Sequence, residues 1–258
     1  MSELYKYSNW LNKNIEFLFG ASITEYDIKS AGLSIIKKYK LLPRDQIDEL
    51  DKMDKSARNV KIGLMQRDNK ELTKNLLIGF ENARKDFINI NNLDAGNILS
   101  IKKDAIFVYN KTCNELCFDE IWFSEKNKYS TFLLFGSLEF YLYPKNNICH
   151  IKGLGQGNSL DELMENHKDY IIDFIMTFSR MRERLTDKKQ MIYWLSKFIM
   201  QYRNRELPSG YYRELNRGNK YRILEDEETL VNNIDDVSKV NILYNYMGYI
   251  VPLAGLYV

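Results

Sequence analysis

The hydrophobic period of this sequence changes near residue 95 and again near residue 160, and these changes limit the folds open to the chain. Between residues 31 and 90 the apolar residues recur at helical spacing, most clearly in "KELTKNLLIGFENARKDFINI" at residues 70–90. Between residues 97 and 153 they fall instead in short runs rich in Ile, Phe, Tyr and Val, separated by polar turn residues. Helical spacing returns from about Leu160. The order predicts an α+β fold, with an antiparallel sheet packed with helices and then a mainly helical lobe.

The N-terminal region is less regular. Residues 3–18 have a mixed helical periodicity and predict a helix that ends at Gly20. The short alternating stretch "SITEYDI" at residues 22–28 predicts a strand. The amphipathic stretch that follows, residues 31–42, predicts a helix that stops at Pro43.

Composition and apolar run lengths favour a globular protein of the cytoplasm. Of the 258 residues, 45% are hydrophobic and 28% are charged, which is ordinary for a globular chain. Runs such as "TFLLFG" are far shorter than the roughly 20 residues of a membrane span, and no signal-peptide core is evident at the start. We therefore expect no membrane partner, and reduced thiols at Cys113, Cys117 and Cys149. The spacing of these cysteines and His150 matches no common zinc-ligand pattern.

Positive charge is concentrated in one segment of the chain. Residues 180–222 hold twelve basic and four acidic residues, a net charge of +8, whereas the whole chain has a net charge of +2. Aromatic residues such as Trp194, Tyr211 and Tyr212 are interleaved with the basic ones. This composition is typical of a surface that holds a polyanion and stacks on its bases. A helical pair with a solvated basic face explains the charge equally well.

Two aspartates are the candidate metal ligands. Asp27 closes the predicted strand at residues 22–28, and Asp104 opens or lies within a later strand in "SIKKDAIFV". Carboxylates on neighbouring strands of an antiparallel sheet suit two divalent cations that bind a nucleotide's phosphates. Asp is also common at strand ends and in turns, so either residue taken alone has a purely structural explanation.

The sequence around these aspartates resembles family B DNA polymerases. "DIKSAGLSII" at residues 27–36 resembles motif A, DxxSLYPSII, and "KSARNVKIG" at residues 55–63 resembles motif B, KxxxNSxYG. "KKDA" at residues 102–105 falls where motif C, DTDS, would stand, with Asp104 at the second aspartate. "EFYLYPKNNICHIKG" resembles the later strand pair that ends in Lys-Gly, here Lys152 and Gly153. The resemblance covers residues 21–155, and the basic helical segment follows in the position of a thumb.

Several positions depart from the family pattern. Gly32 replaces the motif A tyrosine that blocks a 2′-hydroxyl, and Lys102 replaces the first motif C aspartate. Val60 and Ile62 replace the motif B serine and tyrosine. Only residues 37–54 separate motifs A and B, so the fingers would be vestigial, and the stretch before Asp27 is too short for a proofreading exonuclease.

The resemblance implies a role for each matching residue. Asp27 and Asp104 would bind two Mg²⁺ or Mn²⁺ ions for phosphoryl transfer, and Lys55 would contact the triphosphate. Ser30, Gly32, Asn59 and Gly63 would complete the nucleotide site, with Gly63 needed because a side chain would collide there. Contacts to primer and template would come from the following residues: Lys152, Arg203, Arg205, Tyr211, Tyr212, Arg213 and Arg217.

Three possibilities remain open from the sequence. The chain is a minimal polymerase-like or primase-like nucleotidyltransferase, or a polymerase-derived protein that has lost catalysis and binds nucleic acid, a replication or transcription complex, or a virion partner, or an α+β protein unrelated to polymerases. In the first two cases residues 1–155 form a palm-like domain with vestigial fingers at about 37–95, and residues 156–258 form a basic thumb-like domain. The Lys-, Asn- and Ile-rich composition suggests an AT-rich bacteriophage genome and a protein that acts in the host cytoplasm.

Overall fold

The computed structural model describes residues 3–135, 138–143, 149–152, 173–182, 184, 186–204, 206–207, 213–216 and 220–223. By internal contacts the chain divides into two compact units. The first unit is Met1–Ile15 with Gly20–Ser130, and the second is Glu16–Phe19 with Thr131–Val258. All the motif A, B and C positions therefore belong to the first unit.

A six-stranded antiparallel sheet forms the centre of the first unit. Its strands are β1 (Asn9–Leu11), β3 (Ile23–Ile28), β4 (Ile98–Lys102), β5 (Ala105–Tyr109), β6 (Cys117–Phe118) and β7 (Ile121–Tyr129). Their spatial order is β1-β4-β5-β3-β7-β6, so β3 lies between β5 and β7. β4 and β5 form a hairpin with two residues, Lys103 and Asp104, at its turn.

Four helices connect β3 to β4. They are α1 (Ala31–Tyr39), α2 (Arg44–Lys52), α3 (Lys55–Asp68) and α4 (Lys70–Ile90). Capping interactions define the ends of three of these helices. Lys40 takes a left-handed conformation that closes α1, and the Asp54 carboxylate accepts hydrogen bonds from the first amides of α3. Asn69 caps α4 in the same way, because its side chain accepts from the Leu72 amide.

One face of the sheet packs on these helices to form the core. Phe87 of α4 lies with its ring centroid 5.2 Å from that of Tyr26 and 4.3 Å from that of Phe123, so α4 bridges β3 and β7. Helix α4 passes close to α1 at Gly79, where an added Cβ would stand 2.3 Å from Ile35 Cγ2. Because β3 alternates, Tyr26 and Ile28 belong to this core, and Asp27 faces the other way.

The second unit contains a smaller antiparallel sheet and two helices among its described residues. β2 (Phe17–Leu18), β8 (Thr131–Phe135), β9 (Leu138–Leu142) and β10 (Cys149–Lys152) pair in the order β10-β9-β8-β2. Residues 173–182 form helix α5 and Lys188–Arg203 form α6. A hairpin of β11 (Arg213–Asn216) and β12 (Lys220–Ile223) follows.

The predicted α+β class is confirmed, since an antiparallel sheet packs with helices. The helix predicted for residues 3–18 is wrong. Apart from a short 3-10 turn at Leu4–Lys6, that region forms β1, which pairs with Ser100–Lys102, and β2, which pairs with β8. The predicted domain boundary at residue 155 stays a prediction, because residues 153–172 lie outside the described ranges. Within the described residues, none of the helices is both long and apolar enough to cross a membrane.

Candidate active site

Asp27 and Asp104 come together at one end of the large sheet. Asp27 lies one residue before the end of β3 and pairs in register with Ala105 at the start of β5. Asp104 directly precedes Ala105, in the hairpin turn rather than in a strand. The Ile28 amide donates a 3.0 Å hydrogen bond to the Asp104 carbonyl, which ties the turn to the end of β3. Two carboxylates that are 77 positions apart in the sequence thus become neighbours.

Both carboxylates line a cavity of about 230 Å³. The cavity is bounded by the end of β3, the start of α1, one side of α3 and α4, and the β4–β5 turn. Its lining residues are Asp27, Ile28, Ser30, Ala31, Gly32, Lys55, Asn59, Ile62, Gln66, Leu76, Phe80, Lys103 and Asp104. Six of the residues that the sequence proposed for the nucleotide site are in this set: Asp27, Ser30, Gly32, Lys55, Asn59 and Asp104.

Gly63 does not line this cavity. It lies on an exposed side of α3, and a Cβ built there meets nothing within 4 Å. The structure of the chain therefore supplies no collision that would require glycine at this position. The nucleotide-binding role of Gly63 stays a prediction.

A lysine that the sequence did not indicate neutralises Asp27. Lys126 of β7 places its ammonium Nζ 2.8 Å from Asp27 Oδ2 and 3.8 Å from Glu25 Oε1. Its hydrogen bond to Asp27, with the negative charges of Asp27 and Glu25, raises the pKa of Lys126 above its usual value. The lysine side chain is about half exposed, whereas that of Asp27 is mostly buried. The cation can therefore leave the pair by rotating into solvent.

Glu25 is a second buried acid on the same face of β3. Its side chain is almost fully buried, and Oε2 accepts hydrogen bonds from Asn127 Nδ2 at 2.6 Å and Tyr129 Oη at 2.9 Å. Three hydrogen-bond donors of β7, Lys126, Asn127 and Tyr129, therefore contact the Asp27 and Glu25 carboxylates of β3.

Among the described residues, no lysine or arginine forms an ion pair with Asp104 like the one that Lys126 forms with Asp27. Burial raises the pKa of its carboxyl group, and the negative charge of Asp27 raises it further. The charges of Lys103 and Lys126 oppose this effect without cancelling it. The two carboxylates therefore repel one another, and a shared positive charge would stabilise the pair.

Arg84 fixes the turn that carries Asp104. Arg84 is 2% exposed, and its guanidinium donates from Nη1 to the Lys103 carbonyl at 2.6 Å and from Nε to the Tyr5 carbonyl at 2.9 Å. Burial lowers the pKa of Arg84, and the charges of Glu81 and Asp104 oppose that shift. An arginine keeps its proton at neutral pH, so the guanidinium holds the turn from inside the core.

The start of α1 is held in an uncommon conformation. Ser30 is left-handed, with φ of 49°, and its Oγ accepts a 3.1 Å hydrogen bond from Arg58 Nη2 of α3. A non-glycine residue in this region is uncommon and stores some strain. At Gly32, a Cβ would stand 3.4 Å from Ile62 Cδ1, so α1 and α3 approach closely where the polymerase family has tyrosines.

The donor set fits a hard divalent cation only in part. Mg²⁺ in phosphoryl-transfer sites is commonly held by one or two carboxylates together with substrate phosphates, and two carboxylates meet in this cavity. Across the described residues, no three His, Cys, Asp or Glu side chains form a metal-binding group. Asp27 and Asp104 are thus the residues that would hold the ion, with the remaining ligands supplied by substrate and water.

The residues predicted to contact nucleic acid belong to the second unit. Lys152 ends β10 and is half-buried. Arg203 ends α6 and Arg213 begins β11, but their side chains lie outside the described set. Arg205, Tyr211, Tyr212 and Arg217 also lie outside the described residues. The nucleic-acid role of all these residues stays a prediction.

One family model matches the chain over residues 1–257, that of the bacteriophage PBS1 gene 130 protein. The chain belongs to this family. The prediction of a phage protein is confirmed at this level. No curated protein matches the chain. The resemblance to family B polymerases stays a prediction.

Proposed function

We propose that the cavity at Asp27 and Asp104 is the nucleotide site of a minimal polymerase-like nucleotidyltransferase. The observation that supports this proposal is that three separate sequence segments meet at one cavity. Three sequence segments that resemble polymerase motifs A, B and C contribute Asp27, Lys55 and Asp104 to one cavity. A chance resemblance gives no reason for segments 28 to 77 residues apart to meet.

The residues that line the cavity would each contribute a different requirement of phosphoryl transfer. Lys55 and Lys103 bring positive charge to a cavity whose other charged residues are Asp27 and Asp104, and lysines at this position attract a triphosphate. Asn59 and Ser30 add neutral polar groups along the same wall. Divalent ions bound by the two aspartates would activate a hydroxyl nucleophile and neutralise the leaving pyrophosphate. Arg84 keeps the Asp104 turn in place, so the carboxylate is positioned before substrate arrives.

The test is incorporation of labelled nucleotide on primed and unprimed templates, with Mg²⁺ or Mn²⁺. We expect incorporation by the native chain and a loss of at least about 100-fold in Asp27→Asn and Asp104→Asn, because each change removes a charge from the site where ions and phosphates meet. Asp48→Asn on α2 is the matched control, since Asp48 is exposed and lies outside the cavity. Equal incorporation by all four proteins would rule out the two aspartates as catalytic residues.

A second function is favoured by Lys126. Its ammonium already neutralises Asp27, and Lys102 stands where the polymerase family has its first motif C aspartate. An aspartate that is already paired with a lysine of the same chain suits a protein that binds nucleic acid without catalysis. That alternative predicts salt-sensitive binding of nucleic acid that survives Asp27→Asn and Asp104→Asn, with no incorporation under any condition.

A further inference from the structure

An exposed tryptophan lies next to the proposed active site. Trp122 of β7 is 53% exposed, although the residues on either side of it, Ile121 and Phe123, are buried in the core. Tryptophan is among the residues with most to gain from burial, so an indole left this open at a sheet surface is available to a ligand. The motif resemblance gives this residue no role.

Strand geometry places this indole on the same face as Asp27. Ser124 is the register partner of Asp27, and directly opposed residues in an antiparallel pair project to the same face. Trp122 is two residues from Ser124, so it projects to that face as well, about 7 Å further along the strand. The indole is therefore within reach of a polymer strand whose end lies at the two aspartates.

The Lys29 side chain provides a positive charge next to the Trp122 indole. The Lys29 amide donates a 2.8 Å hydrogen bond to the Trp122 carbonyl, and Lys29 Nζ lies 5.8 Å from the centre of the indole ring. Lys126, also on this side of β7, adds a second ammonium near Asp27. An open aromatic face with adjacent lysines is the combination that binds single-stranded nucleic acid, because bases stack and phosphates pair with the cations.

We propose that Trp122 and Lys29 form a stacking subsite for a single-stranded nucleic acid, with the indole against a base and the ammonium against the adjacent phosphate. The subsite rests on the proposed function for its position beside the aspartates. Its binding chemistry does not require that the aspartates be catalytic. The partner is defined by an exposed base and a phosphodiester, and by no particular base sequence.

The test uses the full chain and two fluorescently labelled probes of equal length, a dT12 oligonucleotide and a 12-unit abasic oligomer with the same phosphates. We expect Trp122→Ala to weaken dT12 binding about tenfold, since the substitution removes the aromatic face on which one base stacks. Binding of the abasic oligomer should not change. Trp122→Phe should stay within about threefold of the native chain, because it keeps an aromatic face. Lys29→Met should weaken the binding of both probes and lower the salt dependence by about one phosphate contact.

Tyr7→Ala is the control, because Tyr7 is also 53% exposed and has no place in the proposed subsite. The proposal is overturned if dT12 does not bind, if Trp122→Ala binds dT12 as well as the native chain does, or if the same substitution weakens the abasic oligomer equally. Nucleotide incorporation separates this inference from the proposed function. If dT12 binding depends on Trp122 but no nucleotide is incorporated, the subsite is supported and the proposed function is wrong. If nucleotide is incorporated but Trp122→Ala does not change dT12 binding, only the subsite is wrong.

Discussion

Arg84 and Lys103 are joined by a 2.6 Å hydrogen bond from the guanidinium to the backbone carbonyl, so a buried cation in α4 holds the hairpin turn that presents Asp104. The same guanidinium bonds to the Tyr5 carbonyl, near the N-terminus. One side chain therefore connects a helix, the N-terminal segment and the motif C-like turn.

We expect Arg84→Met to lower the free energy of unfolding by about 2–4 kcal/mol, because it leaves two carbonyl groups without their charged donor in the core. Urea denaturation followed by circular dichroism measures the change. Lys74→Met, on an exposed side of α4, is the matched control and should stay within about 0.5 kcal/mol of the native chain. Equal effects of the two substitutions would show that the Arg84 hydrogen bonds do not stabilise the fold.

Asp104 should make the protein less stable as the pH rises. Its pKa is raised in the folded state by burial and by the charge of Asp27, so the folded state binds its proton more tightly than the unfolded state does. The stability that this proton contributes is complete below the ordinary pKa of 3.8 and is lost as the pH rises through the folded-state pKa. Asp104→Asn should therefore be more stable than the native chain at pH 7, with a smaller advantage at pH 4.

Urea denaturation at both pH values measures this difference. Asp48→Asn is the control, since an exposed carboxylate of α2 should give the native pH dependence. If Asp104→Asn is less stable than the native chain at pH 7, the carboxylate is stabilised by its surroundings and the proposed repulsion from Asp27 is wrong. A variant that gains stability while losing incorporation would identify Asp104 as a residue kept for function at a cost in stability.

Lys126 should compete with divalent ions for Asp27. Removing its ammonium in Lys126→Met should tighten Mn²⁺ binding about two- to fivefold, because a half-exposed ion pair contributes about 0.2–1 kcal/mol. Electron paramagnetic resonance of free Mn²⁺ measures the affinity. Lys128→Met is the matched control, since Lys128 lies on the same strand but pairs with Glu125. Weaker Mn²⁺ binding in Lys126→Met than in the control would contradict a competing role for this lysine.

The sequence predicted the elements whose signals are local. The short alternating pattern of β3 and the helical spacing of α4 were sufficient to predict these two elements, although β3 is buried on both of its faces. Six residues that the sequence proposed for a nucleotide site line one cavity, and their role in binding nucleotide stays a prediction. The N-terminal strand β1 was missed, because its pairing with Ser100–Lys102 is a contact across about 90 residues that outweighs local periodicity.

Lys126 and Arg84 were missed for a related reason. The β3–β7 register shifts between Glu25 and Tyr26, which face Asn127 and Glu125, and Lys126 is the extra residue at this irregularity. The alternation of β7 alone gives no sign of that shift. Arg84 falls within the helical pattern of α4, where an arginine is usually solvated, and its partners Tyr5 and Lys103 lie outside the helix. Lys126 and Arg84 both act through tertiary contacts, which the local sequence pattern does not predict.

Two helical glycines should respond in opposite directions to alanine. Gly63→Ala should raise the free energy of unfolding by about 0.5–1 kcal/mol, because α3 has open space there and alanine restricts the unfolded chain. Gly79→Ala should lower it by about 1–3 kcal/mol, since the new Cβ would stand 2.3 Å from Ile35 Cγ2 in a packed core. Thermal and urea denaturation under the same conditions measure the free energy of unfolding of both variants.

If Gly63→Ala also weakens nucleotide binding while it stabilises the chain, the predicted close approach of a nucleotide to α3 gains support, because nothing in the protein itself is displaced by that methyl group. Similar changes of the same sign at both positions would contradict the difference in packing between α3 and α4.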